Sequence, residues 1–310
     1  MATHFGCAAR ERTSASLSYV QLSHSSGCQP TAAYTKGYFS ASAMAARLEH
    51  VGDSDAAIED FVDEVAHLLR SQIAGIIGNV MTVMPVVVLL QALAWLVQDA
   101  PLIADRTAHY ALHNLTLLGP TLGFAAFTGV LLFASSLIAG WVENAFVFHR
   151  IDSAIAWNPG FVRWLGPERA QRWSRWWRAN ISGIAANVSL GLMLGIVPVL
   201  AAFFGLPIEV RHVTLSAGQI AAALGTLGVQ VLQEPGFWWC VAAIPLTGML
   251  NVLVSFLLAF RLALRSRGLK VRDRSRIHAA LRRRLRQAPA SFLWPTAQVE
   301  QAAAGRVSDH

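Results

Sequence analysis

Residues 181–219, ISGIAANVSLGLMLGIVPVLAAFFGLPIEVRHVTLSAGQ, decide the class of fold. The first 24 carry no charge; Gly205-Leu206-Pro207 then breaks the run, and charge returns at Glu209 and Arg211. About 20 apolar residues rising 1.5 Å each cover a hydrocarbon core of about 30 Å. This stretch therefore predicts a bilayer-crossing helix followed by a tight turn.

Working outward, runs of the same kind occupy 73–97, 117–141 and 237–260, which makes about four spans. The whole chain agrees: 54% of its 310 residues are apolar and only 14% charged, against about 25% charged in a soluble domain. The expected fold is an all-α polytopic membrane protein. A fifth uncharged stretch, 213–233, is rich in Gly, Ser and Gln and reads as a re-entrant or interfacial segment rather than a span. Residues 1–45 are Ser, Thr, Ala and Gly rich and read as a disordered or unrelated leader. Segment 46–71 reads as an amphipathic cytoplasmic helix leading straight into the first span, with Ile58, Phe61, Val62, Val65, Leu68 and Leu69 at helical spacing among acidic residues. A membrane domain then covers 72–260, with 142–180 a cytoplasmic basic and aromatic segment and 205–236 an outer loop. Residues 261–310 form a basic cytoplasmic tail. Cys7, Cys28 and Cys240 make neither a CxxC pair nor an even framework.

Charge orients this arrangement. Loops 98–116 and 205–236 hold one basic residue each, Arg106 and Arg211, whereas 142–180 holds six arginines and 261–286 eleven basic residues. Positive charge stays inside, so both termini of this multi-pass chain are expected in the cytoplasm. Arg172, Arg175 and Arg178 sit among Trp164, Trp173, Trp176 and Trp177, and Arg282, Arg283, Arg284 and Arg286 surround Ile277, Leu281 and Leu285. Basic amphipathic segments beside spans attract anionic lipid headgroups. Clustered arginines also neutralise the phosphates of DNA, so that partner stays open.

Ile73-Ala-Gly75-Ile76 with Asn79-Val80 matches Ile181-Ser-Gly183-Ile184 with Asn187-Val188, and Thr128-Gly129 with Ser136 matches Thr247-Gly248 with Ser255. The four spans thus read as two hairpin repeats in parallel orientation. The spans hold no Asp, Glu, Lys, Arg or His, which argues against a proton-coupled pump. Asn79, Asn187 and Asn251 either bond between helices or line a polar path, with Asn79 and Asn187 facing each other. Gly119-x-x-x-Gly123 and Gly191-x-x-x-Gly195 predict close helix packing. On the outer side, Asp105, His109 and His113 share one helical face, and His212 is a fourth candidate ligand for a divalent metal. Isolated interfacial histidines need no such role, and the expected cofactor set is none.

The strings GLPIEVRHVTLSAGQIAAAL (205–224), NVSLGLMLGIVP (187–198) and SSLIAGWVEN (135–144) resemble a bacterial membrane family of site-specific recombinases, over about 45–295. The resemblance implies a longer protein with further spans ahead, this chain being its carboxy-terminal half behind an unrelated leader, and it implies DNA strand exchange. The residues themselves do not supply that chemistry. A tyrosine enzyme needs a His-x-x-Arg and a later Tyr nucleophile. The only such pair is His67 and Arg70, and the one later tyrosine, Tyr110, lies across the first span. A serine enzyme needs a soluble nucleophile domain. The catalytic residues stay unknown, so whether this is an enzyme stays open. Three roles remain: a membrane-bound participant in recombination, a transporter or channel, and a non-catalytic scaffold. Oligomerisation is open in each.

Overall fold

The computed structural model describes residues 55–266 and 274–292, all within one unit, Thr31–His310. The leader 1–45, residues 46–54 of the amphipathic segment, and 267–273 and 293–310 of the tail lie outside them. Among the described residues every regular element is helical. In order these are α1 (Asp55–Gln98), α2 (Asp105–Leu115), α3 (Thr121–Phe148), α4 (Ile151–Trp157), α5 (Pro159–Leu165), α6 (Pro167–Phe203), α7 (Val213–Leu227), α8 (Pro235–Ser266) and α9 (Arg274–Gln287), with short 3₁₀ turns at Val229–Gln233 and Pro289–Phe292.

Four of these helices, α1, α3, α6 and α8, are long and apolar enough to cross a membrane. The amphipathic segment and the first span are one continuous helix of 44 residues, α1. Likewise the Arg/Trp stretch from Pro167 runs unbroken into the third span as α6. Large apolar side chains such as Leu89, Leu96, Val199 and Phe203 are exposed along the spans, and a surface of that kind matches lipid rather than water.

Each half of the domain is long helix, short helix, long helix: α1-α2-α3, then α6-α7-α8. The two halves do not pack alike. α3 lies between α6 and α8, whereas α1 is joined chiefly through α7, and at its other end through α9. Around α7, Leu112, Leu115, Val213, Ile220 and Phe237 pack with Ile76 and Val80 of α1.

Close helix approach occurs, but not at the predicted glycines. Gly123, Gly191 and Gly195 have open space where a Cβ would stand, and Gly119 meets only its own turn. The tight seams are Gly129 against Val254 and the Asn251 and Leu250 carbonyls, Gly248 against Ile76, Gly218 against Val83, and Gly225 against Gln91. Spacing marks which glycines share a face; which face meets a neighbour is set by how the helices are arranged.

Candidate functional site

The polar centre of the domain is built by residues 205–212. Gly205 takes φ 65°, a left-handed conformation open to glycine at little cost, and turns the chain back on α6. Residues 206–212 are non-helical. The Leu206 N–H bonds back to the Ala201 carbonyl and the Ile208 N–H to the Leu206 carbonyl, both at 2.8 Å, so the strap turns tightly around Pro207 before it re-enters the bundle. Val210 packs with Leu131, Leu132 and Leu190, midway along α3 and α6. The chain then returns to the same end as α7, whose Gly218 touches Val83 and whose Thr226 hydroxyl accepts from Gln91 Nε2 at 3.1 Å. Residues 205–236 are therefore not a surface loop along their length: Val213, Ala217 and Ile220 in α7 are fully buried. The small residues of that stretch let it enter a packed bundle.

Arg211 sits at the inward end of the strap and is only 8% exposed. Its backbone N–H donates to Thr128 Oγ1 at 2.8 Å, and its carbonyl accepts from Asn251 Nδ2 at 2.9 Å. Asn251, 0% exposed in the middle of α8, also donates to the Ala125 carbonyl at 3.2 Å. The Arg211 guanidinium pairs with Glu209, donates to the Asn114 carbonyl at 3.2 Å, and lies 5.9 Å from the Phe124 ring centroid. One asparagine and one arginine thus tie α3, α8, the strap and the end of α2 together. Arg211 Nε and Asn251 Oδ1 are buried without a hydrogen-bond partner among the described residues. Beside them His212 is buried, and that burial lowers its pKa to about 4, because a charged imidazolium there would lose its hydration.

This node is where the residue pattern was least informative. Glu209 and Arg211 look like ordinary loop charges. The available signal was their position, two charges bracketed by the uncharged runs 181–204 and 213–233. An ionisable side chain inside a membrane domain marks a site of consequence by default.

The three predicted asparagines have three different settings. Asn251 is in the node, Asn79 is half-buried on α1, and Asn187 is exposed on α6. Asn79 and Asn187 do not face each other: α6 packs on α3, α4 and α5, and α1 on α7, α9 and α8.

The candidate metal set is not brought together. His109 and His113 line an open cleft of about 640 Å³ with Glu234 and Asn114, while Asp105 lies exposed at the start of α2 and His212 is buried beside Val213. Among the described residues no three His, Cys, Asp or Glu side chains are grouped to hold an ion. Helical spacing aligned the α2 residues, but the strap carries His212 into the core.

The arginines divide into paired and exposed ones. Arg178 pairs with Asp152 at 2.5 Å. Burial raises the Asp152 pKa, but the Arg178 hydrogen bond and charge outweigh it and hold this carboxyl below the usual range. Arg283 pairs with Glu59, and Arg284 with Asp63 at 2.8 Å. Beneath those pairs Ile277 and Ala280 of α9 pack on Ile58, Phe61 and Val62 of α1. Arg172, Arg175, Arg282 and Arg286 are exposed.

His67 and Arg70 lie near the start of α1, while Tyr110 is on α2, beyond its other end. From Arg70 to Gln98 the helix rises about 42 Å at 1.5 Å per residue. No tyrosine-recombinase constellation forms from these three. Tyr19, Tyr34 and Tyr38 lie outside the described residues.

A family model described as site-specific recombinase matches residues 35–295. The match begins about ten residues ahead of the resembling region, inside the stretch that reads as a leader. No curated protein and no solved structure matches the chain.

Proposed function

The chain belongs to the site-specific recombinase family, and on that premise we propose that it is an integral inner-membrane protein, both termini cytoplasmic, that serves DNA recombination by presenting an arginine-rich face to duplex DNA. The observation carrying this is α9. Arg283–Glu59 and Arg284–Asp63 fix the helix to α1, leaving Arg282 and Arg286 exposed beside the clamp. A helix already held in place loses little entropy on binding, and clustered arginines release counterions from phosphates. The skew of basic residues toward 142–180 and 261–286 supports placing that face in the cytoplasm. Strand-exchange chemistry is assigned to no residue here.

Fluorescence anisotropy of a labelled duplex with the detergent-solubilised full chain tests this. Binding at about 50 mM salt is expected. Arg282→Gln with Arg286→Gln should reduce the slope of log K against log[salt] by about 1.8, at about 0.9 for each phosphate no longer neutralised. Absence of duplex binding, or an unchanged slope, refutes the DNA role. Reporter fusions that put Arg172 and Arg283 on different sides refute the topology.

A transporter or channel is the second reading, favoured by the buried Arg211 guanidinium, paired with the half-buried Glu209 at the mouth of the bundle. Arg211→Gln would then abolish solute flux in liposomes while the protein stays folded. If only stability falls, the node is a structural tie and the scaffold reading stands.

A further inference from the structure

We propose that the elbow formed by α4, α5 and the first turns of α6 is a docking surface for anionic phospholipid headgroups. It rests on the membrane placement above, but names a surface and a partner that placement does not.

Two seven-residue helices join the ends of two spans, with Phe148 to Ile151 on one side and Leu165 to Pro167 on the other. The short link from Phe148 to Ile151 keeps α4 close to where α3 leaves the apolar run, whereas α5 joins α6 at Pro167, 14 residues ahead of Ile181. The backbone is set locally. Asn158 caps α5, its side chain accepting from the Gly160 and Phe161 N–H groups at 2.8 and 3.3 Å. The elbow is then fastened to α6: Ser174 Oγ donates to the Asp152 carbonyl at 2.6 Å, and Arg178 pairs with the Asp152 carboxylate.

What is fastened in this way does not serve a protein core. Neither α4 nor α5 buries a single residue. Trp157 is 71% and Trp164 85% exposed, and Phe161 is exposed between them. Between 150 and 180 stand six arginines against Asp152 and Glu168, and Asp152 is already committed to Arg178. Arg163, Arg172 and Arg175 are exposed. Large aromatics with a polar edge beside uncommitted guanidinium groups match the boundary between acyl chains and phosphates, where indole rings and cations are both favoured. Duplex DNA would use the arginines but leave the apolar faces of Trp157 and Trp164 in water. Lipid uses both.

The test reconstitutes the full chain in bilayers in which a brominated acyl chain, which quenches tryptophan on contact, is carried by either phosphatidylglycerol or phosphatidylcholine at equal mole fraction. In the Trp157→Phe with Trp164→Phe variant the remaining eight tryptophans, Trp95, Trp238 and Trp239 of the spans among them, report insertion, and the difference from the unaltered chain isolates the elbow. The elbow signal should be quenched about twofold or more better by the glycerol lipid, and Arg163→Gln, Arg172→Gln and Arg175→Gln together should bring that ratio to about one, since each arginine near the surface enriches anionic lipid about fivefold. Equal elbow quenching by both lipids in the unaltered chain overturns the proposal. So does an elbow signal that neither lipid quenches while the span tryptophans are quenched, or one that shifts only when duplex DNA is added. Span tryptophans that escape quenching would instead overturn the membrane placement itself.

Discussion

Gly129 and Gly248 are equivalent in the repeat, each following a buried threonine, yet replacing them by alanine should have unequal consequences. A Cβ on Gly129 would stand 2.7 Å from Val254 Cβ, 3.0 Å from the Asn251 carbonyl oxygen and 3.2 Å from that of Leu250. Ordinary carbon contacts lie at about 3.5–4.0 Å, so α3 and α8 must part by about 1 Å. None of the three opposing atoms is the end of a flexible side chain. Overpacking of this kind costs about 1–3 kcal/mol. The same movement stretches the Asn251 Nδ2 bond to the Ala125 carbonyl, already 3.2 Å, at a further cost of about 1 kcal/mol. Alanine returns about 0.5–1 kcal/mol of helix propensity, leaving Gly129→Ala destabilised by about 1–3 kcal/mol. On Gly248 the three atoms nearest the new Cβ all belong to the Ile76 side chain, Cδ1 at 3.0 Å and Cγ1 and Cγ2 at 3.2 Å. A turn about χ2 of Ile76 moves Cδ1 away, the two γ carbons must give by a few tenths of an ångström, and the propensity gain offsets most of that cost. Thermal unfolding of the two variants in detergent should show Gly129→Ala lower by about 3–10 °C and Gly248→Ala within about 3 °C of the parent chain. A reversed order, or a Gly129→Ala protein as stable as the parent, would refute the seam as the site where α3 and α8 are fixed.

His212 makes stability pH-dependent. Its folded pKa of about 4 lies below the ordinary 6.5, so as pH falls through that window the unfolded chain takes up a proton that the folded one refuses. Stability should drop by about 2 kcal/mol between pH 7 and 5 and level off below about 4; His212→Phe should flatten the melting-temperature profile there, and an unaltered profile counts against burial as the cause. Asn251→Leu removes the donors to Ala125 and Arg211 and strands the Arg211 carbonyl, costing about 1–3 kcal/mol. Asn251→Asp should cost more, because a carboxylate would face two carbonyl oxygens; equal melting temperatures for the two variants would remove Nδ2 donation as the explanation. The Asp152–Arg178 pair is half in solvent on the arginine side, so a double-mutant cycle with Asp152→Asn and Arg178→Gln should give coupling below about 1 kcal/mol. Because the Asp152 pKa is depressed, that coupling is present above the ordinary carboxylate pKa and fades as pH falls through the folded one; coupling that grows with acidity would contradict the pairing.

The number of long apolar helices, the continuity of the amphipathic segment with the first span and the basic segments were all legible in the sequence, whereas neither expected hairpin closes: α1 does not pack on α3, nor α6 on α8. Each legible feature depends on composition or on spacing along one helix, which the chain carries locally. The weight of the polar residues was not legible. Asn79, Asn187 and Asn251 look alike in sequence, and Asp105, His109 and His113 align with a fourth ligand only on paper. What separates them is whether a neighbouring helix or the strap arrives at that face. The node at Arg211 shows this most clearly. Two charges between uncharged runs admit a surface turn or a buried tie, and the difference rests on Gly205 reversing the chain, the non-helical strap 206–212 leading inward, and Thr128 and Asn251 meeting Arg211 from separate helices. Helices are chosen by short-range periodicity, so the chain alone settles them; partners far apart along the backbone meet only once the bundle has closed.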